Sequence, residues 1–167
     1  MTEPTPASGA RWPDLAGVVR DGEHLLPVRV YYEDTDFSGV VYHASYLRFM
    51  ERGRTDYLRL IGADHRALFE QAAAEAPGFA FVVRAMTIDF LKPARMDDVL
   101  EVTTRPIAVK GASMTLAQRV SRGADLLVEA TVRVACVAGG RARPIPRGLR
   151  LALKTDQDAC GKVAGGR

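Results

Sequence analysis

The chain has 167 residues, of which 47% are hydrophobic and 26% charged, with a formal net charge of +3. That is enough apolar material for one globular core, and the small positive excess is not gathered into the Lys/Arg block that tracks nucleic acid, so a nucleic-acid partner is not expected. The two cysteines, Cys136 and Cys160, lie in no CxxC or Cys/His spacing, which excludes a disulfide framework and a zinc site.

Residues 1–24 are rich in Pro, Ala, Gly and small polar residues and read as a mobile leader, with Trp12 a candidate for docking. They contain no apolar stretch of the kind a secretory signal needs. No segment approaches the roughly 18 uninterrupted apolar residues of a membrane-spanning helix. A reducing, cytoplasmic location is the simple expectation.

Residues 26–32 are β-branched and aromatic and predict a strand. From residue 46 to 61 the spacing changes: Tyr46, Met50, Gly53, Tyr57 and Ile61 recur at three to four residues, which predicts a long helix with a broad apolar face. Gly53 is unfavourable in mid-helix, and a close approach by a strand would justify it. A shorter helix is expected over residues 64–75, N-capped by Asp64 and ended by Pro77-Gly78. Strands follow over residues 79–91, 99–109, 113–121 and 126–137, with Gly111, Gly123 and Gly139-Gly140 at the turns. In the last of them Val128, Ala130, Val132, Val134 and Cys136 share one face. The short connections imply an antiparallel meander. From Arg141 the chain is basic and interrupted by Pro144 and Pro146, and it is expected to loosen past Lys154. The domain is therefore placed at residues 25–154 and a flexible tail at 155–167. One apolar helix and one sheet make a two-layer α+β domain, and an exposed edge strand invites pairing with a second copy.

The first strand stops at an acidic turn ending on Asp36. Ser38-Gly39 and two valines follow, then His43 and Tyr46 at the mouth of the long helix. A carboxylate within one turn of chain of a helix N-terminus suits chemistry on an acyl carbonyl. Asp36 can activate water or attack directly, or it can simply bond its own turn. His43 can act through its backbone N–H or its ring, or only pack at an interface. Gly39 permits a sharp entry to the helix, and Val40 and Val41 read as pocket wall or core. Tyr32 and Tyr46 flank the site, with buried packing the preferred reading for both. Glu33, Asp34 and Asp36 imitate the start of a calcium loop, but its twelfth position is Ser45 instead of a bidentate Glu, so no metal is expected and Asp34 reads as a turn former. Glu51 and Asp56 stand among Arg48, Arg52, Arg54 and Arg59 and read as helix-surface pairs. His24 and His65 read as surface residues.

The string RVYYEDTD, followed by GVVYHASYLRFMERGRTDYL, and the later strings FVVRAMTIDFLKPARMDDVLEV and LLVEATVRVACV, closely resemble the hotdog-fold thioesterases of the 4-hydroxybenzoyl-CoA thioesterase superfamily. Within it the nearest likeness is to the bacterial Tol-Pal system-associated acyl-CoA thioesterases. The resemblance covers residues 27–146. It implies a hotdog fold, a long central helix wrapped by a curved antiparallel sheet of about five strands. It implies a homodimer with active sites at the interface, often a homotetramer, and hydrolysis of acyl-CoA to free acid and CoA with no cofactor. It implies Asp36 as the catalytic carboxylate, and His43 as donor of a backbone N–H to the thioester carbonyl, with its side chain a further candidate. Gly39, Val41 and Tyr46 then belong to the oxyanion and substrate-binding set. Lys110 and Ser113, in VKGASM, fall where some relatives contact the nucleotide end of CoA, and Arg84 and Lys92 are other candidates. For each of these, ordinary solvated charge is the competing reading. Arg141, Arg143, Arg147 and Arg150 could serve phosphate too. Family members carry small residues where this chain has Phe37, which bears on pocket shape. The competing functions are an acyl-CoA-binding hotdog without turnover, an accessory interaction protein of the cell envelope with envelope or lipid-synthesis partners, and a hydratase on the same fold.

Overall fold

The computed structural model describes residues 17–64 and 80–164. The expectations for residues 1–16, for the helix beyond Asp64 and for His65 lie outside the described residues.

Val18–Arg20 (β1) and Glu23–Arg29 (β2) form a hairpin closed by Asp21 and Gly22, with φ of 51° and 77°. Two left-handed residues make the turn that matches strand twist. Glycine is required at 22 for a second reason, because a Cβ there would overlap the Asp156 carbonyl oxygen. β1 and the start of β2 thus fall inside the stretch read as a leader. β2 also ends earlier than expected. Tyr32–Asp34 is a 3-10 turn, drawn in by the Asp34 carboxylate, which accepts the Tyr31 N–H at 2.9 Å.

The long helix, α1, spans His43–Asp64 and begins three residues before the periodicity shows it. Tyr46, Phe49, Met50, Tyr57 and Ile61 are buried along its inner face. Gly53 lies against the sheet: a Cβ there would sit 3.0 Å from both Val102 and Thr104, so the strand approach expected from the sequence is what the glycine serves.

Ala80–Phe90 (β3), Val99–Val109 (β4), Ser113–Arg122 (β5), Asp125–Ala138 (β6) and the short Arg141–Ala142 (β7) complete a sheet of order β1-β2-β4-β5-β6-β3, with β7 on β6. All pairs are antiparallel. The architecture is the hotdog, with α1 packed on the inner face of the sheet. Among the described residues its strands number seven, not about five, because β1 adds an edge strand beside β2 and the short β7 pairs with the end of β6. The meander holds for β4 to β6, but β3 pairs with β6 at the far edge. Residues 91–98 carry the chain back across the start of α1 to β4. Val128, Ala130, Val132, Val134 and Cys136 all face inward, as their alternation requires.

A second helix, α2, spans Arg147–Ala164 and runs across Lys154, where a loose tail was expected. Pro146 precedes its first turn and accepts the Arg150 N–H at 2.9 Å. Leu149 and Leu153 are fully buried, and the Tyr57 hydroxyl donates to Asp156 Oδ2 at 2.7 Å. Burial, with the Asp156 carboxylate beside it, pushes the Tyr57 phenol far up. Cys136 and Cys160 are unpaired.

Two polar groups are buried under the sheet. The Gln118 amide donates to the Met50 carbonyl at 2.9 Å and to Thr104 Oγ1 at 2.8 Å, while its carbonyl accepts from Arg54 at 2.7 Å. Arg54 also pairs with the exposed Glu51. His24 is fully buried, not a surface residue, and its Nε2 lies 2.8 Å from Asp56 Oδ2. Asp56 is likewise buried, and it accepts the Gly17 N–H at 2.7 Å and Arg59 at 3.2 Å. Only its contact with Arg59 resembles the helix-surface pair expected of it.

Candidate active site

The turn after the 3-10 segment is built by its own hydrogen bonds. Asp34 is buried, and its carbonyl accepts the Tyr42 N–H at 2.9 Å. It shapes the turn, as the sequence suggested. The Asp36 N–H donates to the Val40 carbonyl at 2.9 Å, and the Gly39 N–H returns to the Asp36 carbonyl at 3.0 Å. Gly39 has φ of 77°, a conformation that glycine adopts without strain. Isolated bridges, Thr35 to Val41 and Val40 to Arg95, fasten the turn on both sides.

Asp36 is exposed at the tip. Its Oδ1 accepts the Ser38 N–H at 2.8 Å and also the Ser38 hydroxyl. The hydroxyl bond, then the N–H bond, hold the carboxyl below the usual carboxylate range, with smaller pulls from Val40 and His43. The group is therefore ionised at neutral pH.

His43 opens α1, and the Ser45 N–H is already bonded to the Tyr42 carbonyl at 2.8 Å. The first N–H groups of a helix have no partner within it, and no acidic side chain occupies this first turn. The positive end of the helix is thus left for another anion. The His43 ring is exposed, 4.4 Å from the Tyr42 ring and edge-on to Phe90 at 6.3 Å.

A cleft of about 260 Å³ opens beside this helix start, lined by Val41, His43 and Tyr46 on one wall and by Phe90, Leu91, Lys92 and Pro93 on the other. The second wall is the end of β3 and the loop after it. Of these second-wall residues the sequence marks only Lys92 as a site candidate, because an apolar pair followed by Lys-Pro reads as the close of a strand. Tyr46 is buried, and its hydroxyl accepts the Ala94 N–H at 2.9 Å while the Ala94 carbonyl accepts the Val41 N–H at 2.8 Å. The two walls are clamped at Ala94. Tyr46→Phe keeps the ring but strands a buried N–H, and is expected to lower stability by about 1–3 kcal/mol, read from the urea midpoint.

Val41, His43 and Tyr46 therefore meet in one cleft, with Asp36 and Gly39 on the adjoining turn. Tyr32 is exposed, not packed, because the 3-10 turn faces it outward. Phe37 is fully exposed and lines no part of the cleft. Lys110 and Ser113 sit together in the β4–β5 turn, where the Lys110 N–H donates to the Ser113 carbonyl at 2.8 Å, and neither lines the cleft. Lys92 is engaged by Asp125 at 2.5 Å. Among the described residues there is no cluster of His, Cys, Asp and Glu fit to hold a metal, and no helix long and apolar enough to cross a membrane.

Residues 38–129 match the family model described as the thioesterase superfamily. The chain is 46% identical over 125 residues to the acyl-CoA thioesterase YbgC of Haemophilus influenzae, covering 75% of this chain and 88% of the relative. It is 49% identical over 119 residues to the acyl-CoA thioester hydrolase YbgC of Escherichia coli, covering 71% and 84%. Among solved structures, a probable thioesterase from Bartonella henselae is similar with a TM-score of 0.62 and 39% identity, over 74% of this chain and 98% of that one. Sequence and fold agree over the same core, and the chain belongs to the thioesterase superfamily.

Proposed function

We propose that the protein is an acyl-CoA thioester hydrolase in which Asp36 is the general base or nucleophile and the first turn of α1 receives the oxyanion. The observation that carries the reading is an ionised carboxylate beside a helix N-terminus with no acid in its first turn, next to an apolar and aromatic cleft. Names of relatives that are 46% and 49% identical over the matched 125 and 119 residues support the substrate class.

In this reading the thioester carbonyl points its oxygen at the His43 N–H, and the acyl group lies against Val41, Tyr46 and Phe90. Gly39 gives the substrate room to approach. Asp36 takes a proton from water as the water oxygen bonds to the carbonyl carbon. The carbonyl electron pair moves to the oxygen, where the helix end stabilises it. Its return breaks the C–S bond, and the CoA thiolate leaves and takes a proton. In the alternative route Asp36 itself attacks, and water then hydrolyses the mixed anhydride. A thiolate leaves readily, so neither route calls on a metal.

A homodimer or homotetramer belongs to the same reading. β3 is a sheet edge, with Val82, Val83 and Phe90 exposed. Two β3 strands pairing would continue the sheet and cover the open cleft. Lys110 and Ser113 keep a role at the nucleotide end of CoA if a second copy brings its β4–β5 turn to this cleft. Two unpaired, buried cysteines favour the cytoplasm. Association with the cell envelope and its partners rests on the family likeness alone.

The test is release of free thiol from acyl-CoAs ranging from short to long and aromatic. Release on part of the panel supports hydrolysis and separates it from hydration. No release on any member refutes the reading. The acid limb of kcat/KM carries a second test. Asp36 must be ionised to act, and its pKa is held below the ordinary value, so activity persists as pH falls until that lowered pKa is crossed. Ser38→Ala removes the largest cause of the lowering. The limb is expected to move to higher pH in that variant, and an unmoved limb would dissociate it from Asp36.

A further inference from the structure

A second cleft, of about 430 Å³, lies between β2 and the flank of α1, and it shares no lining residue with the cleft beside the helix start. Small-ligand sites span about 300–1,000 Å³, so this volume is of the right order. Leu26 and Val28, both buried, and the exposed Tyr31 make its apolar side. Arg29 stands on the strand wall, and Arg52 and Arg59 on the helix wall. The two carboxylates that line the cleft, Glu51 and Asp56, are already engaged. Glu51 accepts from Arg54 and, at 3.2 Å, from the Thr55 hydroxyl. Asp56 accepts the Gly17 N–H and Arg59, and its Oδ2 lies 2.8 Å from His24 Nε2. Arg29 donates only to the Asp97 carbonyl, at 3.3 Å, and Arg52 stands 5.9 Å from the centroid of the Phe49 ring. Neither guanidinium forms an ion pair among the described residues.

The backbone on this side of β2 favours a small ligand over an added strand. β1 covers β2 only at residues 23–25. The Val30 N–H donates to the Asp98 carbonyl at 2.9 Å and the Val30 carbonyl accepts the Asp97 N–H at 3.0 Å, so the Val30 backbone faces β4. The β2–β4 register is unbroken from His24 to Arg29. Alternation therefore turns the backbone of Leu26 and Val28 toward β4 and that of Pro27 and Arg29 toward the cleft. Proline brings no N–H, so the Arg29 N–H is the one donor that residues 26–30 offer on this edge. One donor makes no ladder, and a proline on an edge guards against strand addition. Charge decides what fits instead. Planar guanidinium forks suit a carboxylate, and the apolar side suits hydrocarbon. A ligand that is all charge leaves Leu26 and Val28 uncovered, and one that is all hydrocarbon meets two guanidiniums without a counter-charge.

We propose that this cleft binds a carboxylate that carries a hydrocarbon body, its head held between Arg29 and Arg52 and its chain laid along Leu26, Val28 and Tyr31. An acid bound here leaves the cleft at His43 open, and its binding does not depend on turnover at Asp36.

The test is calorimetric titration of the full chain with octanoate, 1-octanol and acetate. Octanoate should bind saturably, and octanol and acetate at least about tenfold more weakly, because each lacks one half of the match. Arg29→Gln combined with Arg52→Gln should weaken octanoate by about tenfold or more and leave thiol release from acyl-CoA unchanged. Both side chains are exposed, so the variant should keep its fold. An octanoate bearing a diazirine should label residues 26–31 or 51–59 on irradiation, and excess octanoate should suppress the label. No saturable binding, octanol bound as tightly as octanoate, or an unchanged affinity in the double variant overturns the proposal. So does label confined to residues 41–46 and 90–93, the walls of the other cleft. Affinity that falls as protein concentration rises would assign the cleft to a second copy and overturn it too. Binding is read without turnover, so a protein that fails to hydrolyse thioesters leaves this test intact.

Discussion

Asp36→Asn is expected to slow thiol release from acyl-CoA by more than about a hundredfold, with KM nearly kept. The amide is the same size as the carboxylate, and its carbonyl oxygen can still accept from Ser38. Asp36 is exposed, so the fold has little stake in its charge. What is lost is the capacity to take a proton or to form an anhydride. Thermal unfolding within a degree or two of wild type would separate this chemical loss from a structural one. Undiminished turnover would refute the role of Asp36 and point to Glu51, the exposed carboxylate on α1 that pairs with Arg54.

The largest expected effect on stability lies elsewhere. Asp56→Ala should reduce the free energy of unfolding by about 3 kcal/mol, measured by urea denaturation at neutral pH. One carboxylate oxygen holds both the Gly17 N–H and His24 Nε2 in a buried setting. Nδ1 of His24 is already buried without a partner, so truncating Asp56 leaves the whole imidazole unpaired. The β1–β2 hairpin is fastened to α1 at this point, so amide exchange in β1 should rise with the loss. Asp56→Asn keeps one acceptor and should lose less. A loss below about 1 kcal/mol for Asp56→Ala would show that the hairpin is held by apolar burial alone.

The parts legible in the sequence were those set by local chemistry. β4, β5 and β6 fell within a residue of their expected bounds, because β-branched alternation and glycine turns are both short-range signals. The inner face of α1 followed from its spacing, and Gly53 foretold the closeness of β4. The turn at Asp36 was visible for the same reason, since Ser38 and Gly39 act within three residues of it. What was hidden depends on distant partners. β3 has the same alternation wherever it sits, so nothing in it says that it pairs with β6 and not with β4. His24 gained its role from Asp56, 32 residues away, and Asp156 from Tyr57, 99 away. The second wall of the cleft was missed because Phe90 and Leu91 meet His43 only after the chain has crossed the sheet. α2 was obscured by the two prolines and the glycines around it, which end one element without announcing the next.

The position of α2 has a consequence for how the protein is made. Cys160 contacts the Asp21 carbonyl across 139 residues, and Asp156 presses on Gly22 in the same hairpin. The first described strands and the last described helix therefore complete one another. Non-local contacts of this span form late and slow folding. During synthesis the nascent chain emerges with β1 and β2 first, and they must wait for residues near 160 to leave the ribosome before their packing is whole. Until then the face of the core that Leu149 and Leu153 cover stays open, a window in which a chaperone that holds exposed apolar surface would find this chain and after which it would not.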